Sequence, residues 1–243
     1  MTELVKNPQS ATVPAQVVSI SPLTAGVSKV LLQPLEPAGY QAGQYLQVFL
    51  SDSDKRPFSI ASAPGASMIE LQIGGNVTDA WASQALTHLQ DHLQNNQPLV
   101  VQVGLGDAYL REDSNRPVLL LAGGTGFSYV YSIAQQLRQS ASQRPVQLFW
   151  GLRDESGLYY QAELQSWQNE QFQVTTVLQE PKGAWQGPTG LVHEVVLSQV
   201  ANLADYDIYI AGPFPMVGAV RDAFLEAGAV RAQMYADAFA FLK

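Results

Sequence analysis

The chain contains no cysteine in 243 residues. Disulfides, thiolate nucleophiles, cysteine-ligated zinc and the usual cysteine-held iron–sulfur clusters are therefore excluded from it. Charge is scarce as well: only 14% of residues are Asp, Glu, Lys or Arg, well under the usual quarter or so. The net charge of −8 leaves no broad cationic surface, so nucleic acid is not an expected partner. No window approaches the roughly 20 apolar residues of a membrane span, and residues 1–8 lack the charged-then-apolar pattern of a secretory leader. A cytoplasmic protein, off the membrane, is expected. No metal site is expected either. His88 and His92 have helical ligand spacing, but Leu89 stands where a His-Glu-x-x-His motif has its acid, and no third ligand is evident.

What the chain does hold is apolar material, 47% of its residues, enough for one large domain or two of ordinary size. Up to about residue 110 it reads as β-rich. Short apolar runs at 15–20, 27–33, 44–50, 56–62, 68–73 and 99–103 are separated by turn residues such as Ser21-Pro22, Gly39, Gly43 and Pro64-Gly65. That spacing predicts a small antiparallel β-barrel or a sandwich. One helix interrupts it, over 78–94, with Trp81, Ala85, His88, Leu89 and His92 on one face. From about residue 116 strands alternate with helices: strands at 118–122, 146–150, 172–178 and 207–211, helices at 127–139, 161–169, 191–200 and 215–227. This alternation predicts a doubly wound parallel α/β sheet. The polar run Arg111-Glu112-Asp113-Ser114-Asn115-Arg116 separates the two patterns, giving domains of 1–112 and 113–243. The first dozen residues are polar and are expected to lack fixed structure.

Candidate chemistry concentrates at a few places. Leu119-Leu120-Leu121-Ala122 runs as a buried strand into Gly123-Gly124-Thr125-Gly126, and a helix follows. Such a turn exposes backbone N–H groups at a helix N-terminus, where the peptide dipoles favour a phosphate. The pattern differs from GxGxxG, and glycine turns also serve tight packing alone. Ala211-Gly212-Pro213-Phe214-Pro215-Met216 puts a second glycine at the carboxyl end of a parallel strand, the edge where open α/β sheets bind ligands. After the second strand comes Gly151-Leu152-Arg153-Asp154-Glu155. An acid there suits a ribose 2′-hydroxyl and an arginine a 2′-phosphate, so NADH and NADPH both stay open. A solvated charged turn is the plainer reading of that run. Finally, Arg56-Pro57-Phe58-Ser59 puts a fixed cation and a hydroxyl in an otherwise small, apolar segment. A hydroxyl aimed at flavin N5 helps align the ring, and a neighbouring aromatic covers a face. The plainer readings are a rim salt bridge and a local cap. In this order, the stretches suggest a flavin-handling domain followed by a nicotinamide-nucleotide domain, and so hydride transfer.

From about residue 15 to 241 the chain resembles the ferredoxin–NADP reductase-like flavin oxidoreductases, and among them the bacterial NAD(P)H:flavin reductases of the Fre/LuxG type. The resemblance is carried by Arg56-Pro57-Phe58-Ser59, Gly123-Gly124-Thr125-Gly126-Phe127-Ser128-Tyr129, Ala211-Gly212 with Met216, and Asp237-Ala238-Phe239-Ala240-Phe241. It implies Ser59 as the catalytic residue at flavin N5. Arg56, Pro57, Phe58, Ser59, Ile73, Gly74, Phe239 and Phe241 are the expected flavin-binding residues. Gly123, Gly124, Thr125, Gly126, Arg153, Gly212, Pro213 and Met216 are the expected nicotinamide-nucleotide residues. NADH or NADPH is the implied donor, with FMN, riboflavin or FAD as substrate or loosely bound cofactor. Free flavin is the implied partner, and a flavin-dependent monooxygenase or luciferase the recipient of its reduced form.

The chain departs from its relatives in places. Phe58 stands where many have tyrosine, and Ala211-Gly212 where others have Cys-Gly. Gly75-Asn76-Val77-Thr78 only partly matches the Gly-x-x-Ser/Thr pyrophosphate turn of relatives that hold FAD permanently. Flavin then reads as a substrate that enters, takes a hydride and leaves. Two other readings stand beside this one. In one, a tightly held flavin passes electrons to a partner protein or ferric chelate. In the other, a non-enzymatic regulator retains the nucleotide scaffold. For the tail, the alternative is an apolar plug packed on the sheet.

Overall fold

The computed structural model describes residues 10–74 and 80–242. The expected pyrophosphate turn at 75–78 and the predicted start of the first helix lie outside the described residues, as does most of the polar N-terminus.

The N-terminal half builds one antiparallel sheet from β1 (Ala11–Thr24), β2 (Val27–Pro34), β3 (Tyr45–Phe49), β4 (Lys55–Ser59), β5 (Ile69–Gly74) and β6 (Leu99–Leu105). The order is β4-β3-β6-β1-β2-β5. All six predicted strands are present. The first starts earlier than expected, so Ala11 and Thr12 of the polar leader are ordered against Val103 and Gln102. The sheet curls until its two edges meet: Ile60 bridges Leu71, and Ala61 N–H donates to Glu70 O at 2.8 Å. Alternate residues point inward, as the two-residue side-chain period requires. Val13, Ala15 and Val17 of β1 join Val30, Leu32, Leu46, Val48, Leu71, Ile73, Val101 and Val103 in one apolar core.

Helix α1 (Ala80–Gln94) packs on this core through Ala82, Ala85 and Leu89. Ala85 and Leu89 are on the expected face, but Ala82 is buried in place of Trp81. Trp81 is 44% exposed and lies against Phe58, ring centroids 5.2 Å apart, and the His88 and His92 rings lie tilted to each other, centroids 4.5 Å apart. Small residues at positions 82 and 85 let the helix approach the sheet closely, which rotates the bulky Trp81 to the rim.

The second half is a five-stranded parallel sheet in the order β11-β10-β7-β8-β9, made from β7 (Val118–Gly123), β8 (Val146–Leu152), β9 (Phe172–Leu178), β10 (Asp207–Ala211) and β11 (Met234–Tyr235). Helices α2 (Phe127–Gln139) and α3 (Gln161–Trp167) lie on one face, α4 (Val192–Gln199) and α5 (Phe214–Glu226) on the other. Strand side chains divide accordingly. Leu120, Ala122, Leu148 and Trp150 face α2 and α3; Leu119, Leu121, Phe149 and Ile208 face α4 and α5. The sheet is thus doubly wound. Strand β11 was not anticipated, because two residues carry no periodicity.

The two sheets are fastened through α2. Its buried Ser132 and its Gln135 donate to the Ser62 and Ala61 carbonyls at 2.7 and 2.8 Å, and Tyr129 OH donates to Ala108 O. Gln72 of β5 accepts from Ser128 Oγ at 3.2 Å and from Tyr159 OH at 2.9 Å. Its amide donates to Glu70 Oε1 at 3.0 Å, which fixes the side-chain oxygen toward the second sheet. No helix among the described residues is long and apolar enough to cross a membrane.

Candidate active site between the two sheets

The chain leaves β7 toward β8 on one side and later returns to β10 on the other. The carboxyl ends of β7 and β10 are therefore the switch point where a doubly wound sheet opens a crevice. Two helices begin there. Neither α2 nor α5 has a side-chain hydrogen bond at its N-cap, which is Gly126 and Pro213 respectively. Gly124–Gly126 form a 3-10 turn that runs straight into α2, with Phe127 N–H donating back to Gly124 O, so the N–H groups left without a side-chain partner are those at the start of this turn and at the start of α5. Trp150 Nε1–H donates to Gly124 O at 3.0 Å and pins the turn. Gly124 has φ of +55°, and a Cβ there would meet nothing within 4 Å, so its backbone is open to a ligand.

Gly126 does a different job. A Cβ on it would lie 2.5 Å from the Ala211 carbonyl carbon and oxygen and 2.7 Å from Gly212 N. These are backbone atoms and cannot give way, so the turn and the end of β10 must part. Gly126→Ala is expected to cost about 1–3 kcal/mol, seen as a lower denaturant midpoint, and to weaken nucleotide binding in the same variant. Wild-type values in both measurements would refute this assignment.

Two adjoining cavities, of about 510 and 650 Å³, form one cleft with Pro57, Phe58, Ser59, Phe214, Asp237 and Ala238 in both linings. Volumes in this range suit a cofactor-sized ligand. The first cavity brings together Ser59, Ile73 and Gly74 from the antiparallel sheet with Gly123–Gly126, Gly212 and Pro213 from the parallel one. Met216 sits beneath, its sulfur against Gly123 and Gly212. The second cavity is bounded by Tyr45, Tyr235, Phe239 and Phe241. Phe239 lies under the Arg231 guanidinium at 4.2 Å. Phe241 is 73% exposed and stacks on Phe214, centroids 5.8 Å apart. The tail is thus a wall of the cleft that also packs Ala238, Phe239 and Leu242 against the apolar core under α4 and α5.

Two predicted site residues lie elsewhere. Arg56 and Ser59 are both in β4, three positions apart, so they leave the strand on opposite faces. Arg56 is buried away from the cleft. It donates to Asp54 at 2.7 and 2.9 Å, to Gln84 Oε1 at 2.8 Å and to the Trp81 carbonyl. Arg153, beyond the end of β8, lines neither cavity and pairs with Glu180 at 3.2 Å. Among the described residues no three His, Asp or Glu side chains come together as a metal set.

Asp237 was not anticipated as a site residue, although an acid inside the apolar run 236–239 was its signal. It lines both cavities, packed against Gly106, and accepts from the backbone N–H groups of Ala108 and Asp107. Burial pushes its carboxyl up to about 6, with the Asp107 charge adding to the effect against those hydrogen bonds. Between the ordinary value of 3.8 and about 6, the folded chain holds a proton that the unfolded chain has released. Asp237 therefore contributes stability at low pH that is lost as pH rises through about 6. A plot of Tm against pH is expected to fall over that window in the wild type and to flatten in Asp237→Asn. Parallel curves would overturn the assignment.

Residues 120–222 match the oxidoreductase NAD-binding domain family. The NAD(P)H-flavin reductase of Aliivibrio fischeri is 43% identical over 231 residues, covering 93% of this chain and 98% of the relative. This chain belongs to the NAD(P)H-flavin reductase family. A second relative in the family, the NAD(P)H-flavin reductase of Vibrio harveyi, is 40% identical over 95% of this chain and 100% of its own length. Among solved structures, the ferredoxin reductase in carbazole 1,9a-dioxygenase superposes with a TM-score of 0.79 at 28% identity, covering 95% of this chain and 70% of that one. The family's likeness thus spans both sheets and the cleft between them.

Proposed function

We propose that the chain is an NAD(P)H-dependent flavin reductase, moving a hydride from nicotinamide C4 to N5 of free riboflavin, FMN or FAD. One observation carries the reading: Ser59 shares a cavity with the glycine turn Gly123–Gly126 and the Gly212-Pro213 turn, two helix N-termini at the switch point. Backbone N–H groups there suit a pyrophosphate, and the cleft between the sheets suits two stacked rings. Pro57, Phe58, Ile73 and Gly74 would shape the flavin side, with Ser59 donating toward N5. Phe239 and Phe241 would bound the far end of the ring system. Arg56 acts in this reading by fixing β4 to α1, not by touching a phosphate. The division near residue 112 would separate the flavin-binding part from the nucleotide-binding part.

The reaction takes a hydride from the dihydronicotinamide and a proton from the protein or water, giving oxidised nucleotide and reduced flavin. Holding the two rings about 3–3.5 Å apart accounts for much of the rate. Asp237, in the same cleft and protonated below about pH 6, is placed to supply that proton. The engaged Arg56 guanidinium favours flavin as a substrate, since this buried cation of β4 is already committed to Asp54 and Gln84. Reduced flavin would leave for a flavin-dependent monooxygenase or luciferase, in the cytoplasm. The test is oxidation of NADH and NADPH by gel-filtered protein with and without riboflavin or FMN. Activity that appears only with added flavin, and saturates in it, supports the proposal. A yellow protein reduced by NAD(P)H, with no gain from added flavin, overturns it in favour of a prosthetic group and a separate acceptor.

A further inference from the structure

Beyond the ends of β8 and β9, charged side chains collect at the place where a doubly wound sheet meets the adenosine half of a dinucleotide. The backbone fixes their arrangement. Gln179 N–H donates to Leu152 O at 2.9 Å and Glu180 N–H to Arg153 O at 2.7 Å, continuing the ladder past the strands. Arg153 and Glu180 are thereby held as neighbours and pair at 3.2 Å. Lys182 is bound to Asp154, which also accepts from Ser156 N–H at 3.0 Å. Glu155 accepts from the N–H groups of Lys182 and Gly183 at 2.9 and 2.8 Å. Both cations, Arg153 and Lys182, are thus matched, and the third carboxylate leaves the cluster negative.

We infer that Glu180 is a specificity-determining residue that makes this enzyme prefer NADH to NADPH. The inference rests on reading the switch-point crevice as the nicotinamide-nucleotide site. A 2′-phosphate carries close to two negative charges. It would meet Arg153 only beside the carboxylates of Glu180, Asp154 and Glu155, which outnumber the two cations. A 2′-hydroxyl instead donates to the Glu180 carboxylate and leaves the pair in place. Arg153 alone, the residue that suggests a 2′-phosphate, is therefore misleading: its Nε already pairs with Glu180, and the cluster as a whole is negative. Glu180 is 57% exposed, so the discrimination is moderate, about fivefold for one charge contact in water.

The test is calorimetric binding of 5′-AMP and adenosine 2′,5′-bisphosphate, which differ only in the 2′-phosphate, to the wild type, Glu180→Gln and Glu226→Gln. Both substitutions are at exposed positions, the second at the far end of α5. The wild type is expected to bind 5′-AMP about fivefold or more tightly than the bisphosphate. Glu180→Gln is expected to tighten the bisphosphate until the two are equal or reversed, and Glu226→Gln to leave the ratio alone. An unchanged ratio in Glu180→Gln, or equal movement in Glu226→Gln, overturns the role of Glu180 while the flavin-reductase reading stands. Failure of both ligands to bind any of the proteins overturns the placement of the nucleotide itself.

Discussion

Ser59→Ala is expected to slow hydride transfer about 10- to 10³-fold in single-turnover kinetics, with Tm unchanged. Ser59 ends β4, where its residue pairs with Tyr45 across the ladder, so the backbone that carries it is fixed by neighbours on β3. Its side chain is small, partly exposed and in both cavities, so removing one oxygen opens no cavity in the core. In the proposed role, what is lost is a donor held in advance toward flavin N5, an atom whose charge and protonation change during the reaction. A single preorganised donor of this type typically contributes a factor of about 10²–10³. The expected signature is a fall in the limiting rate of flavin reduction, with nucleotide affinity held, because the glycine turn is untouched. An unchanged single-turnover rate would remove Ser59 from the chemistry.

Asp207→Ala is expected to cost about 3–5 kcal/mol of stability, read as a shift in the urea midpoint. Asp207 and Arg144 pair at 2.6 Å, with side chains only 3% and 8% exposed. Arg144 is also the knot of the connection between the two sheets. Its guanidinium donates to the carbonyls of Arg111 at 2.8 Å and Arg116 at 2.6 Å, at either end of the polar linker. Removing the carboxylate leaves a buried guanidinium with two carbonyls and no counter-charge. The double variant Asp207→Leu with Arg144→Leu is expected to be less damaged than Asp207→Ala, since no charge is left buried. A double variant worse than the single one would place the loss in packing or in the linker, and refute the ion-pair account.

Other features divide between sequence and tertiary structure for identifiable reasons. The strand and helix pattern is local, set by apolar periods of two and of 3.6 residues. Hence Phe127–Gln139, Phe172–Leu178 and Asp207–Ala211 begin and end where the pattern does. The turn after β7 was legible for the same reason, because four small residues between an apolar run and a helix leave few other conformations. The face that α1 buries was legible at Ala85 and Leu89 but not at its first turn, since Trp81 and Ala82 are adjacent and only the closeness of the sheet selects the smaller one.

The amino-acid order by itself therefore determined the two sheet types, the glycine turns and the presence of Ser59 on a strand of the first sheet. It determined these because each depends on neighbours within one element. Only the tertiary structure decided that Arg56 reaches Gln84 on α1, that Arg153 pairs with Glu180, and that Asp237 reaches the cleft beside Ser59. Those outcomes depend on which distant chain segment lies within reach of a side chain, and that distance is set by packing rather than by sequence spacing.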